Sequence, residues 1–308
     1  MKVLVTGGAG FVGSHLIEEL LVQGHEVVCL DNFTSGKRIN LEPFKEKITL
    51  IEGDILNLKD VQAALEDVES VYHLAAQISV TQSVRNPLHD ASININGFIN
   101  ILNTILESSV KRVVYVSTGG AIYGEPLHIP ASETTPEEPI SPYGLSKLVG
   151  EKYLKWFNAT HGLSYAIIRP ANIYGPRQDP LGEAGVISIY LGRMLNKKPL
   201  EIFGDGSDTR DYVYVKDIAA ICTTAMASNV DDTYNAGTGI QTSLNELVEI
   251  IGEVTTLPIK KVFKPPRPGD VKKIALDITK AKKILKWTPQ TTFNTGIQNT
   301  WDWFKNTH

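Results

Sequence analysis

Three groups of residues in this chain have types and spacings that could do chemistry together. Glycines stand at positions 7, 10 and 13 of Gly7-Gly8-Ala9-Gly10-Phe11-Val12-Gly13. Between a strand and a helix, that spacing suits a pyrophosphate. Gly7 permits a tight turn, Gly10 lets phosphates approach the backbone, and Gly13 lets helix and sheet pack closely. The helix N-terminus adds free N–H groups and the positive end of a dipole. Taken alone, the spacing also fits an ordinary glycine-rich turn. Asp31, about 20 residues on, supplies the acid that a dinucleotide site needs. Its carboxylate can accept from both ribose hydroxyls and would repel a 2′-phosphate, which favours NAD over NADP. Asp54 follows Gly53, where it could accept from an adenine amino group or simply close a turn.

Tyr143 and Lys147 are four residues apart, on one face of any helix that holds them. Ser141 and Pro142 suit an N-cap and a first helical turn. Free tyrosine, with a pKa of about 10, is a poor base at neutral pH. A neighbouring ammonium and the positive charge of an oxidised nicotinamide both favour the phenolate. Such a tyrosine can take the proton of a substrate alcohol as hydride leaves the same carbon. On a solvated face the same pair would be unremarkable. Ser117-Thr118-Gly119-Gly120 offers hydroxyls that could bond that alcohol, or that could satisfy the backbone of a turn. Arg210 and Arg267 follow turn-forming segments. Their planar, permanent charges match a diphosphate, although either one alone would pass as a surface charge.

The elements that must position these groups alternate along the first half. Strands are predicted over 3–6, 27–30 (ending at Asp31), 48–52, 70–74, 112–117 and 165–169. Helices are predicted over 11–23, 60–65, 87–108 and 142–160. This alternation predicts an α/β fold with a Rossmann-type doubly wound parallel sheet, whose ligands bind beyond the carboxyl ends of the strands. After Pro170 the pattern loosens, with helices predicted over 186–195, 216–227, 244–254 and 279–285. We read 1–170 as the NAD-binding domain, with room for later segments to return to it. Residues 171–308 read as a smaller α/β substrate-binding region.

Composition excludes several function classes. Of 308 residues, 42% are hydrophobic and 21% charged, which fits a globular chain rather than a disordered or membrane-embedded one. A net charge of −4 argues against nucleic acid as a partner. No apolar run approaches the ~20 residues of a spanning helix, so no membrane partner is expected. Cys29 and Cys222 lie far apart without metal spacing, and no metal site is expected. Sparse cysteine and an N-terminus unlike a signal peptide predict a cytoplasmic protein.

The combination resembles the extended short-chain dehydrogenase/reductase family, and within it the prokaryotic UDP-glucose (UDP-galactose) 4-epimerases. The resemblance runs nearly end to end. It includes Thr6-Gly7-Gly8-Ala9-Gly10-Phe11-Val12-Gly13-Ser14-His15, Asp31-Asn32, Leu74-Ala75-Ala76-Gln77 and Tyr143-x-x-x-Lys147. It continues through Asn172-Ile173-Tyr174-Gly175-Pro176-Arg177-Gln178, Gly204-Asp205-Gly206, Arg210-Asp211-Tyr212 and Arg267-Pro268-Gly269-Asp270. The resemblance implies that Tyr143 is the acid/base and that Lys147 holds the nicotinamide ribose. It places Gly10, Phe11 and Val12 on the pyrophosphate and Asp31, Asn32 and Ser35 at the adenosine. Asp54 and Ile55 would lie at the adenine, with Leu74, Ala75, Ala76, Gln77 and Asn94 along the cofactor. Asn172, Arg210 and Arg267 would hold the diphosphate of a UDP-sugar, with Val186, Tyr212 and Asp270 around the nucleoside. A homodimer is also implied, formed by the helices at 87–108 and 142–160.

Many relatives carry Ser or Thr where this chain has Gly119, so the hydroxyl role passes to Thr118 or Ser117, or to a water, with Thr118 favoured. Dehydratases of the branch use an Asp-Glu pair where Gly119 and Gly120 stand, and glycines cannot transfer protons. The expected reaction is therefore the minimal one, inversion at C4 of UDP-glucose and UDP-galactose through a transient 4-keto sugar. Alternatives are a UDP-N-acetylhexosamine or UDP-hexuronate 4-epimerase, a related dehydratase or reductase, or an NAD-binding sensor or scaffold. An unaligned placement puts the residue that limits sugar size at Ile274, smaller than tyrosine, which leaves room for an N-acetyl group.

Overall fold

In the computed structural model, which describes residues 1–182, 185–266 and 271–307, the alternation becomes a seven-stranded sheet. The six expected strands are β1 (Lys2–Thr6), β2 (Glu26–Asp31), β3 (Ile48–Glu52), β4 (Ser70–His73), β5 (Arg112–Val116) and β6 (Ser164–Pro170). Their order is β3-β2-β1-β4-β5-β6, and Asp232–Ala236 pairs outside β6. All neighbours run parallel. The order reverses between β1 and β4, so their exits flank the crevice where such sheets bind ligands.

Strand alternation divides the core between the two faces. Val3, Val5, Val27, Cys29, Val114 and Val116 enter one cluster with Leu16 and Leu20 of the first helix, α1 (Phe11–Val22). The helix Val215–Ala227 packs against α1 on that face. Leu4, Val28, Leu30, Val113 and Tyr115 face the other way, toward Phe98, Ile101, Leu154 and Phe157. Because both faces are covered, the strands read as continuous apolar runs.

The strand Asp232–Ala236 was not predicted. It returns the chain to the first sheet from beyond residue 170. The helices Val80–Arg85 and Phe293–Thr307 were also missed. The helix expected over 87–108 is divided into Pro87–Ala91, a π-helical turn Ser92–Gly97, and Phe98–Ile105. Beyond β6, the short strand Asn172–Tyr174 pairs with Tyr212–Tyr214, and Leu200–Phe203 pairs with Lys261–Lys264. A third cluster, including Tyr190, Leu191, Leu247, Trp301 and Phe304, supports them. Among the described residues, no helix is long and apolar enough to cross a membrane.

Candidate active site

The glycine loop connects β1 to α1. Gly7 has φ +70°, and a Cβ there would lie 2.7 Å from the Ala75 nitrogen, where the chain leaves β4. A Cβ on Gly13 would lie 2.2 Å from the Gly7 carbonyl oxygen. The loop is thus a cradle that side chains would fill. Gly10 caps α1 through its backbone alone, and the first turn carries no acid, so nothing competes with an anion for that helix end. These features fit the pyrophosphate of a dinucleotide.

At the end of β2, Asp31 is buried. Its two carboxylate oxygens accept from the N–H groups of Ala9 (2.9 Å) and Phe33 (2.8 Å). Burial raises its pKa, and the two backbone hydrogen bonds pull it down. The acid therefore fastens the glycine loop to the β2 exit, and each oxygen has a second acceptor site for a ribose hydroxyl. Ser35 is exposed on the same exit loop. The Asn32 amide donates to Asp54 at 2.9 Å, which brings the two adenosine-side candidates together. Ile55 is buried and would touch a Cβ at Gly97.

The run Leu74, Ala75, Ala76 and Gln77 leaves β4 partly exposed along the crevice. Thr6 holds it: the N–H groups of Leu74 and Ala75 both donate to the Thr6 hydroxyl at 3.2 Å. Asn94 sits in the π-helical turn, accepts from the Gln77 N–H at 2.8 Å and donates to Ser146 at 3.1 Å. It thereby ties the β4 exit to the helix that carries Tyr143.

That helix is Pro142–His161, capped by the Ser141 hydroxyl, which accepts from the Gly144 N–H at 3.1 Å. Tyr143 and Lys147 lie in its first two turns. Thr118, at the exit of β5, lies beside the Tyr143 phenol. Burial pushes that phenol up to about 12; Thr118 opposes the rise and Asp90 adds to it. Lys147 donates to the Val116 carbonyl at 2.7 Å, and its Nζ stands 4.8 Å from the centre of the Tyr115 ring. Burial draws its ammonium down to about 8, against the pull of Glu151 and Asp90. In the chain alone burial is the largest influence on the phenol, and the nicotinamide charge expected beside Lys147 would act against it.

A half-buried phenol beside a hydroxyl, a lysine one helical turn along and a dinucleotide cradle at the same sheet edge can move one proton while hydride moves at the adjacent carbon. Residues 3–237 match the NAD dependent epimerase/dehydratase family. The chain belongs to that family. A putative UDP-glucose 4-epimerase of Methanocaldococcus jannaschii is 46% identical over 99% of this chain and 98% of its own. The UDP-glucose 4-epimerase of Thermotoga maritima, solved with UDP-glucose, superposes with a TM-score of 0.97 at 44% identity, covering 100% of this chain and 99% of the other. The UDP-glucose 4-epimerase of Thermus thermophilus, solved with NAD, gives a TM-score of 0.94 at 39% identity, with 100% of both chains covered.

As a member of an NAD-dependent epimerase family, the chain puts its expected substrate residues in varied places. Asn172 is exposed at the start of its short strand, and its Oδ1 is the nearest atom to a Cβ built on Gly120, at 3.8 Å. Arg210 is partly exposed and donates to the carbonyls of Thr209 (2.9 Å) and Lys272 (3.4 Å). Tyr212 is drawn into the third cluster, stacked on Phe293 at 5.6 Å. Its hydroxyl is buried without a hydrogen-bond partner among the described residues. Val186 opens the helix Val186–Leu195 and is partly buried. Arg267 and Asp270 lie outside the described residues. Ile274 is 2% exposed and packs in the core cluster that also holds Leu276.

Ser117 is not brought to Tyr143. It points to the opposite face from Thr118, and its hydroxyl donates to Glu151 at 2.6 Å. Gly119 is crowded: a Cβ there would lie 2.5 Å from Leu276 Cδ1, which would have to shift, and 3.1 Å from the Arg169 carbonyl oxygen. Sequence reasoning missed Thr6, Ser146 and Asp211. Asp211 is fully buried and accepts from Thr238, Gly239 and Leu276, fixing the segment next to Arg210. The Arg-Asp-Tyr run was the available signal for Asp211.

Proposed function

We propose that the protein interconverts UDP-glucose and UDP-galactose by inversion at C4 through a transient 4-keto sugar. The observation that carries this reading is the juxtaposition of Tyr143 and Thr118 beside two glycines that supply no further acid. In this reading residues 1–170 hold NAD and 171–308 hold the nucleotide sugar. Arg210, Asn172 and Arg267 neutralise the diphosphate, with Val186, Tyr212 and Asp270 at the nucleoside. Bound NAD would supply a hydride acceptor and donor at the sugar C4, together with a positive charge in its oxidised form.

The chain's own residues do the rest. Thr118 bridges the sugar O4 and the Tyr143 oxygen. Tyr143 takes the O4 proton as the C4–H bond breaks and returns it to O4 when hydrogen comes back to the other face. Lys147 stays charged beneath the pair. A dehydratase would need a base at C5 and an acid at O6, and neither Gly119 nor Gly120 is either.

The test is to incubate the protein with UDP-galactose and identify the sugar formed, with UDP-N-acetylglucosamine and UDP-glucuronate in parallel. UDP-glucose should appear with no net change at the reduced-nicotinamide absorbance band. Tyr143→Phe should abolish the conversion and keep cofactor. A stoichiometric absorbance change would refute an epimerase, and a chain that holds NAD but converts none of these sugars would be a binder or scaffold.

The reading includes a homodimer. Val80, Val84, Leu88, Leu145 and Trp156 are apolar and exposed on the helices Val80–Arg85, Pro87–Ala91 and Pro142–His161, which pack together. A second copy would cover that stripe. Sedimentation equilibrium giving a monomer at micromolar concentration would end this part. A cytoplasmic location fits the two free, buried cysteines, and fractionation of cells expressing the protein would check it.

A further inference from the structure

Glu151 belongs to no motif that the sequence singled out, yet its side chain is fully buried. It sits one helical turn beyond Lys147 and faces Arg169, which is itself 1% exposed at the end of β6. The pair is bidentate: Arg169 Nε donates to Oε1 at 2.9 Å and Nη2 donates to Oε2 at 2.5 Å. Oε1 also accepts the Ser117 hydroxyl at 2.6 Å. Arg169 spends its remaining donors on Tyr123 and Glu137. Removing two charges from water costs several kcal/mol each, so a pair like this is weak evidence for stability and calls for another reason.

The three chain segments that meet at this carboxylate supply that reason. Ser117 immediately precedes Thr118. Glu151 itself rides the helix of Tyr143 and Lys147. Arg169 lies three residues before Asn172. We propose that Glu151 is the positioning residue of the active site, holding the Thr118 hydroxyl, the Lys147 ammonium and the approach to Asn172 in one register through Ser117 and Arg169. This rests on the roles given above to Tyr143, Thr118 and Lys147. Ser117 then acts through Glu151 and not on substrate.

Charge gives the carboxylate a second effect. The ionisable groups facing Lys147 are Glu151 on its own helix, Asp90 on Pro87–Ala91, and Tyr115 and His73 on the sheet. Only Glu151 and Asp90 support the ammonium against burial.

Ser117→Ala, Ser117→Thr and Glu151→Gln test this on the full chain. Ser117→Ala keeps the ion pair and should fold. Its kcat should fall about tenfold to hundredfold, as misplacing a reacting group does. KM for UDP-galactose and NAD affinity should stay within about twofold, and Ser117→Thr should restore most of kcat. Glu151→Gln should move the alkaline limb of the kcat profile to lower pH. If Glu151→Gln does not fold, the Ser117 pair decides. Wild-type turnover with an unchanged Ser117→Ala kcat, or a loss that Ser117→Thr does not rescue, would overturn the proposal. A wild-type protein that turns over no nucleotide sugar would instead overturn the function on which it rests.

Discussion

Gly13→Ala puts the reading of the cofactor loop at risk with a single methyl group. The added Cβ would stand 2.2 Å from the Gly7 carbonyl oxygen, 2.8 Å from Gly8 Cα and 3.0 Å from the Gly7 carbonyl carbon. All three are backbone atoms, so no side-chain rotation relieves the contact. Ordinary contact begins at 3.4 Å, so helix and loop must part by 3.4 − 2.2, about 1 Å. Overpacking of this kind costs roughly 1–3 kcal/mol of stability. The displacement falls on the first turn of α1, where we propose that the Phe11 and Val12 N–H groups meet the pyrophosphate. Hydrogen bonds to charged groups are worth about 1.5–3 kcal/mol each. Weakening two of them should reduce NAD affinity about a hundredfold or more, at roughly 1.4 kcal/mol per factor of ten. Titration calorimetry against NAD and scanning calorimetry of the unliganded protein read the two effects separately. Gly162→Ala is the control: φ is +73° there and no atom lies within 4 Å of an added Cβ. It should cost about 1–2 kcal/mol of stability and leave NAD affinity alone. A Gly13→Ala protein that binds NAD within threefold of wild type would refute the cradle.

Thr118→Val removes the hydroxyl and keeps the shape. It should lower kcat about a hundredfold, in the range of a positioned proton-transfer partner, with NAD still bound; a kcat within twofold of wild type would remove Thr118 from the mechanism. His15 is buried in α1, with Nε2 at 2.9 Å from the Pro176 carbonyl, so that nitrogen must carry the proton. Burial, then the nearby Arg177 charge, lowers its pKa from 6.5 to about 4. The fold therefore holds it neutral while the unfolded chain protonates near 6.5, so this stability is present above that pH and is lost as pH falls toward 4. The ceiling is about 3 kcal/mol, at roughly 1.4 kcal/mol per pKa unit. Melting curves between pH 7 and about 4 should show the loss, and His15→Gln should flatten it; an equal slope in both proteins would count against His15 as its source.

What could be read from the sequence was what short-range spacing encodes. The glycine loop, Asp31 at the end of β2, and the Tyr143–Lys147 pair are each local in chain, and the structure places each at the expected sheet edge. The strand Asp232–Ala236 escaped because Asp-Thr-Tyr-Asn-Ala has no apolar run. Its burial is satisfied instead by hydrogen bonds, such as Tyr123 to Asn235 at 2.8 Å. The helix Phe293–Thr307 did carry a signal: Ile297, Trp301 and Phe304 follow i, i+4, i+7, and all three are buried. Choosing between Ser117 and Thr118 needed the side on which the Tyr143 helix packs. Strand alternation puts Ser117 on the face of Tyr115, which is the face of Leu154 and Phe157. Glu151 and Arg169 are eighteen residues apart, and no spacing rule joins them.

The electrostatics of the pair also depend on tertiary structure. From spacing alone, a lysine one turn from a tyrosine should make the phenol acidic. In the folded chain Lys147 gives its proton donor to Val116, while Tyr143 is held near 12 and Lys147 near 8. In the chain alone burial therefore favours the protonated phenol. A second positive charge at the same edge is required, and the glycine cradle is where the chain is built to receive one. That arrangement suits a reaction in which the proton taken from O4 must be given back every turnover, because a permanently ionised phenolate could not return it. It also means that rising pH reaches Lys147 well before Tyr143. The first charge lost from the chain is then the ammonium, and activity should fall as the positive charge beside Tyr143 goes.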